Sequence, residues 1–278
     1  IVGGGTTGAL TAHYFMKQGL NCVLVEKNQI AHQSTAASTA ILQYEIDLGL
    51  NRLMSMVGEQ NAQHAFLFGY QAVMEMSQIV KEINSNCDFT FKPCFLYTQD
   101  PRKVDYMADE CKSRQAIGIH CELFTSETHQ NEFSFNFEVG VYSHYGAAII
   151  NPVQFTRDLI DYNVKKGLQV FENTNIVDYN LSSRQSVLIT EQEFTITADK
   201  VIICTGYDAL EWFKHEKPFY TLSRSFAVLT KPVENFHGWK EACIIRDDQD
   251  PYTYIRPTLS NSIIIGGEDL EIDDLDGE

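Results

Sequence analysis

No CxxC pair, no basic excess and no long apolar run occur in this chain, and each absence removes a class of function. The seven cysteines are scattered and odd in number, so they supply neither a disulfide framework nor a zinc-ligand spacing. Reduced thiols in a cytoplasmic protein are the expectation. Lys and Arg total 21 against 37 Asp and Glu, a formal net charge of −16. That balance excludes a phosphate-tracking surface for nucleic acid and repels anionic membranes, while still allowing a local basic pocket for a small anion. No stretch approaches the roughly 20 apolar residues that span a bilayer, so no integral membrane segment is expected. Internal repeats, a Ser-His-Asp set and spaced metal ligands are also lacking, and no metal is expected. What is present is an ordinary globular composition, 44% hydrophobic and 21% charged over 278 residues, enough for two packed domains.

The chain opens as strand, glycine turn, helix, strand. Ile1-Val2 run directly into Gly3 to Gly8, a helix follows over 9–18, and Cys22 to Glu26 form an apolar strand suited to burial on both faces. Because only two strand residues precede the glycines, the sequence is expected to be a piece of a longer protein. The pattern is helical over 48–83, extended over 89–98, helical over 101–118 and extended over 119–124. Asn151-Pro152 opens a helix that ends at Gly167. Strands follow at 168–171 and 176–180, with a hairpin-like pair across 182–186. Val201-Ile202-Ile203-Cys204 reads as a second buried strand. Antiparallel strands are expected at 225–230, 252–256 and 263–266, then a solvated acidic loop over 268–278.

Gly3, Gly5 and Gly8 form GxGxxG between strand and helix, and Glu26 ends the next strand. Gly3 makes the tight turn, Gly5 lets the backbone approach a pyrophosphate, and Gly8 lets the helix pack close to the sheet. The helix N-terminus attracts the pyrophosphate, and Glu26 accepts hydrogen bonds from ribose hydroxyls, disfavouring a 2′-phosphate. This unit alone does not decide between FAD and NAD. The small, hydroxyl-rich segment 32–40 follows, able to bring amides and hydroxyls to the phosphates from a second side.

In these residues the chain resembles the D-amino-acid oxidase-like family of FAD oxidoreductases, which includes glycine oxidase and sarcosine oxidase. Gly3, Gly5, Thr6, Thr7 and Gly8 with Glu26 and Lys27 look like its opening motif. Ser34, Thr35, Ser38 and Thr39 stand where its Ser-rich phosphate segment lies. Ile176 resembles the apolar residue that meets adenine, and Thr205-Gly206 resembles its "ATG" strand end near FAD. Tyr254-Ile255-Arg256-Pro257 resembles the substrate-domain strand whose Tyr binds the substrate carboxylate. The resemblance implies an α/β fold: a Rossmann-like FAD-binding domain from 1–88 and 145–217, with a mainly antiparallel α+β substrate domain from 89–144 and 218–278. The family's closing glycine-rich segment and its carboxylate-binding Arg are expected beyond Glu278. Noncovalent FAD is implied, since Ala37 stands where some relatives attach the flavin through His; His32 reads as a loop residue.

Relatives oxidise an amine beside a carboxylate by hydride transfer to flavin N5, which needs a cation and hydroxyls for the carboxylate. On a strand, Tyr252, Tyr254 and Arg256 share one face, and an arginine can hold a carboxylate at two points. Arg224 and Arg246 are the alternative cations. The expected ligand is a small molecule bearing a carboxylate, and the sequence is compatible with an oligomer. Two rival readings stay open. One is a hydroxy-acid or glycerol-phosphate dehydrogenase on the same flavin fold, which 38–42 resembles; the other is a non-catalytic flavin-binding module.

Overall fold

The computed structural model of the protein describes residues 1–45, 47–212 and 222–271. In chain order the elements are α1 (Thr6–Lys17), β1 (Val23–Val25), α2 (Ser34–Ala37), β2 (Ile41–Gln43), α3 (Leu50–Val57), α4 (Glu59–Glu82) and β3 (Thr90–Thr98). Next come α5 (Val104–Ala116), β4 (Cys121–Thr125), α6 (Ser126–His129), β5 (Val139–Ile149) and α7 (Pro152–Val164). The remainder are β6 (Gln169–Phe171), β7 (Ile176–Asn180), β8 (Ser186–Thr190), β9 (Thr195–Ala198) and α8 (Ala209–Trp212). Last are β10 (Ser223–Leu229), β11 (Ile244–Asp247), β12 (Thr253–Pro257) and β13 (Ile263–Glu271). Among the described residues no helix is long and apolar enough to cross a membrane.

Two compact units emerge, one of Ile1–Ser38, Val80–Cys87 and Asn151–Phe219, the other of Thr39–Ile79, Asp88–Ile150 and Tyr220–Glu278. In the first, β1 pairs in parallel with β6, and Val2 bridges both Val25 and Ile203 in parallel. The antiparallel sheet β7-β8-β9 contributes Leu188, which packs with Val2 and Val25. Small residues let α1 approach α7 closely: Ala9 and Ala12 are buried, and the Thr6 and Thr156 hydroxyls lie 2.9 Å apart. The helix α7 begins as its sequence predicts, with the Asn151 side chain accepting from the Gln154 N–H at 3.1 Å and Pro152 in the first turn. The 201–204 run, expected as a buried strand, supplies only the Val2–Ile203 bridge and is half-buried, because Ile203 and Cys204 line the cleft of this unit.

The second unit holds a sheet in the order β10-β13-β12-β11-β3-β5-β2, with β4 also on β5. All of its pairings are antiparallel except β11 with β3. Alternation along the strands gives two packed faces. Phe95, Tyr142 and Ile245 join an aromatic cluster with Phe124, Phe133 and Phe137 on one side. Leu96 and Val141 meet Met107 and Cys111 of α5 on the other.

Several expectations change here. The helical stretch 48–83 is two helices, because Gly58 at φ 86° ends α3 and its N–H caps Met54 O at 3.0 Å. Residues 39–79 and 145–150, read as nucleotide domain, fall in the second unit. The cause is packing: β2 pairs with the end of β5, and Tyr44, Leu50, Ala62 and Phe66 share a core with Cys94, Ile119 and Ala147. The strand β5, central to this sheet, has no counterpart in the sequence reading; it is buried nearly throughout, which erases a period-two signal. Residues 268–271, read as loop, belong to β13, while 272–278 lie outside the described residues.

Candidate functional site

The first unit contains a cleft of about 490 Å³, within the usual size range for small-molecule sites. Its lining includes Gly3, Gly5, Thr6, Thr7, Glu26, Lys27, Ser34, Thr35, Ser38, Ile176, Thr205 and Gly206. Two residues named with them from the sequence do not line it. Gly8 lies beneath: a Cβ there would stand 1.9 Å from Gly3 O, so its task is close helix–turn packing. Thr39 belongs to the second unit.

The geometry of the glycine turn follows from its residues. Gly3 has φ 107°, a region L side chains rarely adopt. The N-cap Gly5 offers no side chain, so the first-turn amides are left to outside acceptors; Thr35 Oγ1 takes the Thr6 N–H at 3.2 Å. A Cβ on Gly5 would press on that same oxygen at 3.1 Å. Glu26 is half-buried, and its two oxygens accept from Gly4 N–H at 2.7 Å and Asn28 N–H at 2.8 Å. A carboxylate has about four acceptor positions, so two N–H bonds orient it while leaving capacity for hydroxyl donors. Lys27 pairs with Asp208 across the rim.

The fit to a dinucleotide is supported by an orphan. Thr205 Oγ1 lines the cleft, is buried, and has no hydrogen-bond partner among the described residues. Such a hydroxyl costs stability unless a ligand atom satisfies it. Sequence reasoning missed Asn175, Asp208 and Trp212, which line the cleft, and His32, a loop residue as expected, lines it too. Trp212 stacks on Tyr179 with ring centroids 4.8 Å apart. The available signal was proximity in the chain: Asp208 and Trp212 lie two and six residues after Gly206.

In the second unit the residues expected to meet an acid are Tyr254 and Arg256 on β12 and Tyr252 immediately before it. Tyr252 and Tyr254 have ring centroids 6.1 Å apart. The Tyr254 hydroxyl accepts from Thr39 Oγ1 at 3.0 Å, and its ring lies over Gly266, where a Cβ would meet the phenol oxygen at 2.4 Å. Tyr252 donates to Asp47 Oδ1 at 3.2 Å. Burial first, and the Asp47 carboxylate second, push the Tyr252 phenol up to about 12. Arg256 is buried, with Nε donating to Thr39 O at 2.5 Å and Nη1 to Pro257 O at 3.1 Å. Arg246 approaches Asp47, and its guanidinium carbon lies 5.0 Å from the Tyr252 ring centroid. Arg224, the other alternative cation, is exposed on β10.

Comparison with known proteins gives this geometry a family context. A profile described as FAD dependent oxidoreductase matches residues 1–278, the whole chain. The Bacillus subtilis (strain 168) protein YhfW, a Rieske 2Fe-2S iron-sulfur protein by name, is 24% identical over 266 residues. That match covers 94% of this chain and 49% of YhfW, so the chain spans about half the length of that relative. Glycine oxidase from Geobacillus kaustophilus superposes with a TM-score of 0.75 at 17% identity, over 98% of this chain and 71% of that one. L-alpha-glycerophosphate oxidase from Mycoplasma pneumoniae, solved with FAD bound, gives 0.76 at 17% identity, over 98% and 71%. At such identities the likeness is one of fold.

Proposed function

The chain belongs to the FAD dependent oxidoreductase family, and from that premise we propose that it oxidises a small amino acid or secondary amine bearing a carboxylate. The observation that carries the substrate class is the Tyr252–Tyr254 pair at the start of β12, two phenols with ring centroids 6.1 Å apart and the buried Arg256 two residues further along the strand. In the first unit the α1 amides and the Ser34, Thr35 and Ser38 segment hold the pyrophosphate of noncovalent FAD. Glu26 orients the ribose, Ile176 meets the adenine, and the Thr205 hydroxyl finds its missing partner. Bound there, FAD would supply a hydride acceptor for the carbon that carries the substrate nitrogen.

The protein's own residues then have defined tasks. Tyr254, already an acceptor from Thr39, keeps its hydroxyl proton to donate to the substrate carboxylate. Tyr252 stays a neutral donor at physiological pH, since its phenol is raised. Arg256 fixes the backbone of Thr39, and so the hydroxyl that sets the Tyr254 proton direction.

The test is anaerobic reduction. Full-length protein carrying FAD, mixed with a panel of amino acids, N-methyl amino acids, hydroxy acids and glycerol phosphates, should lose its visible flavin absorption with one of the amines. Bleaching by hydroxy acids or glycerol phosphate only would transfer the activity to a CH–OH substrate, the chemistry named for the Mycoplasma neighbour. No bleaching by any of them would leave a flavin-binding module.

A further inference from the structure

Helices α1 and α7 of the first unit meet in register. The Thr6 and Thr156 hydroxyls lie 2.9 Å apart, and further along both helices His13 Nδ1 stands 3.3 Å from Asn163 Oδ1. Both pairs join residues 150 positions apart, so the helices run parallel and the pairs sit about two turns apart on one seam. Between them the contact is small and apolar, with Ala9, Ala12 and Leu159 buried. At its head, α1 is tied to the glycine turn. A Cβ on Gly8 would stand 1.9 Å from Gly3 O, and Thr35 Oγ1 accepts from the Thr6 N–H at 3.2 Å. A displacement of the helix is therefore a displacement of the turn.

His13 is fully buried in this seam. The Asn163 side-chain amide donates to Leu159 O at 2.7 Å, which turns Oδ1 toward the imidazole as an acceptor, so Nδ1 carries the ring proton. Nε2 is then a bare acceptor, buried with no hydrogen-bond partner among the described residues. A neutral ring tolerates that position. A second proton would make Nε2 a charged donor with nothing to receive it. The neighbours supply little relief. The rings of Tyr14 on α1 and Tyr162 on α7 lie 5.8 and 6.0 Å away. Glu82, at the end of α4, is engaged by Lys17 Nζ and by the Tyr162 hydroxyl, both at 2.9 Å, and Lys166 donates to the same hydroxyl at 2.6 Å. Burial first holds the imidazole below its ordinary range; Lys17 and Lys166 add to this, against the pull of Asn163 and Glu82.

We propose that His13 makes cofactor retention depend on pH: neutral, it closes the α1–α7 seam and FAD is held, and protonated, it parts the seam and FAD is released. The inference rests on the cleft being the FAD site and goes beyond the assigned reaction, since no substrate takes part. In an opened seam the imidazole meets water and takes a second proton below about pH 6.5, its ordinary value. The closed seam refuses that proton. The closed state thus binds fewer protons, and its advantage is complete above about pH 6.5 and lost as the pH falls below it. Because Gly8 and Thr6 tie α1 to the glycine turn, opening at His13 tilts away the amides that face the pyrophosphate.

Full-length protein titrated with FAD across this pH range, with free FAD measured after ultrafiltration, tests the coupling without requiring turnover. The wild-type Kd should rise about ten-fold between about pH 7.5 and 5.5. His13→Gln keeps a donor for Asn163 but does not titrate, and its Kd should change less than about two-fold over the same interval. Asn163→Asp gives the imidazolium its missing counter-ion and should flatten the rise as well. The proposal is overturned if wild-type affinity is level across the interval, or if His13→Gln loses FAD as steeply as wild type. Should His13→Gln not fold, Asn163→Asp decides, and a rise as steep as in wild type overturns the proposal. The cofactor reading fails separately. Wild-type protein that binds no FAD above pH 7 removes the assignment of the cleft and the proposal with it, whereas FAD bound equally at both ends of the interval removes the proposal alone.

Discussion

Single atoms decide much of this site. Losing one hydrogen bond to a charged group costs about 1.5–3 kcal/mol, so Tyr254→Phe should lower kcat/KM roughly ten- to a hundred-fold while leaving the FAD spectrum unchanged. Steady-state kinetics with the substrate found by bleaching give the answer, and wild-type values would take Tyr254 out of the binding machinery. Gly8 presents the opposite case, a residue with no contact to ligand and a large structural demand. The added methyl of Gly8→Ala would stand 1.9 Å from Gly3 O, and backbone cannot yield as a flexible side chain would. Overpacking of this kind costs about 1–3 kcal/mol or more, so a drop in thermal midpoint together with loss of bound FAD is expected. Retention of both would mean that α1 can shift outward without consequence. Gly3 was legible in the sequence as a turn residue, and its φ of 107° is one that L side chains rarely adopt. The contact between Asp47 and Arg246 was not legible, because it joins residues 199 positions apart in the chain.

Helix α3 shows how one element is held by another. Its N-cap Gly49 has no side chain to offer, and a Cβ there would meet Tyr106 Oη at 2.7 Å. Glu110 of α5 takes the cap role instead, accepting from Leu50 N–H at 2.6 Å and Asn51 N–H at 2.9 Å. Arg114, one turn further along α5, balances that buried carboxylate at 2.8 Å. Glu110→Ala leaves the Leu50 and Asn51 amides without their cap while Glu45 still faces Arg114, so the protein should lose about 1–3 kcal/mol of stability. Urea unfolding followed by circular dichroism measures it, and a loss below about 1 kcal/mol would show that water reaches those amides. The sequence announced helices here through their periodicity. It could not announce the cap, since a carboxylate 60 residues downstream supplies what the local residues lack. The same limit hid β5: a strand covered on both faces has no alternating pattern to read, and glycines 140 and 146 dilute its propensity.

At the scale of the molecule, cofactor and fold are linked by mass action. Full-length protein should purify yellow and release FAD on heating, and added FAD should raise its thermal midpoint, by the equivalent of about 2.7 kcal/mol at a hundred-fold excess over Kd. Recovery of FMN, or a midpoint indifferent to FAD, would contradict the assignment of the cleft. The opening nucleotide motif and the antiparallel character of the second unit could be read from the sequence, because both have local signatures. The assignment of 39–79 could not, because those residues join the second unit through pairing with β5, about a hundred positions later. The parallel bridge from Val2 to Ile203 has a consequence in time. Ribosomes add about 5–20 residues per second, so the opening strand waits on the order of 10–40 s before its partner has even been made. During that interval the apolar edge beside the glycine turn has no native neighbour on that side. Folding of the first unit is therefore a late event in the life of the nascent chain, and the early-made half is the part that chaperones would need to shield.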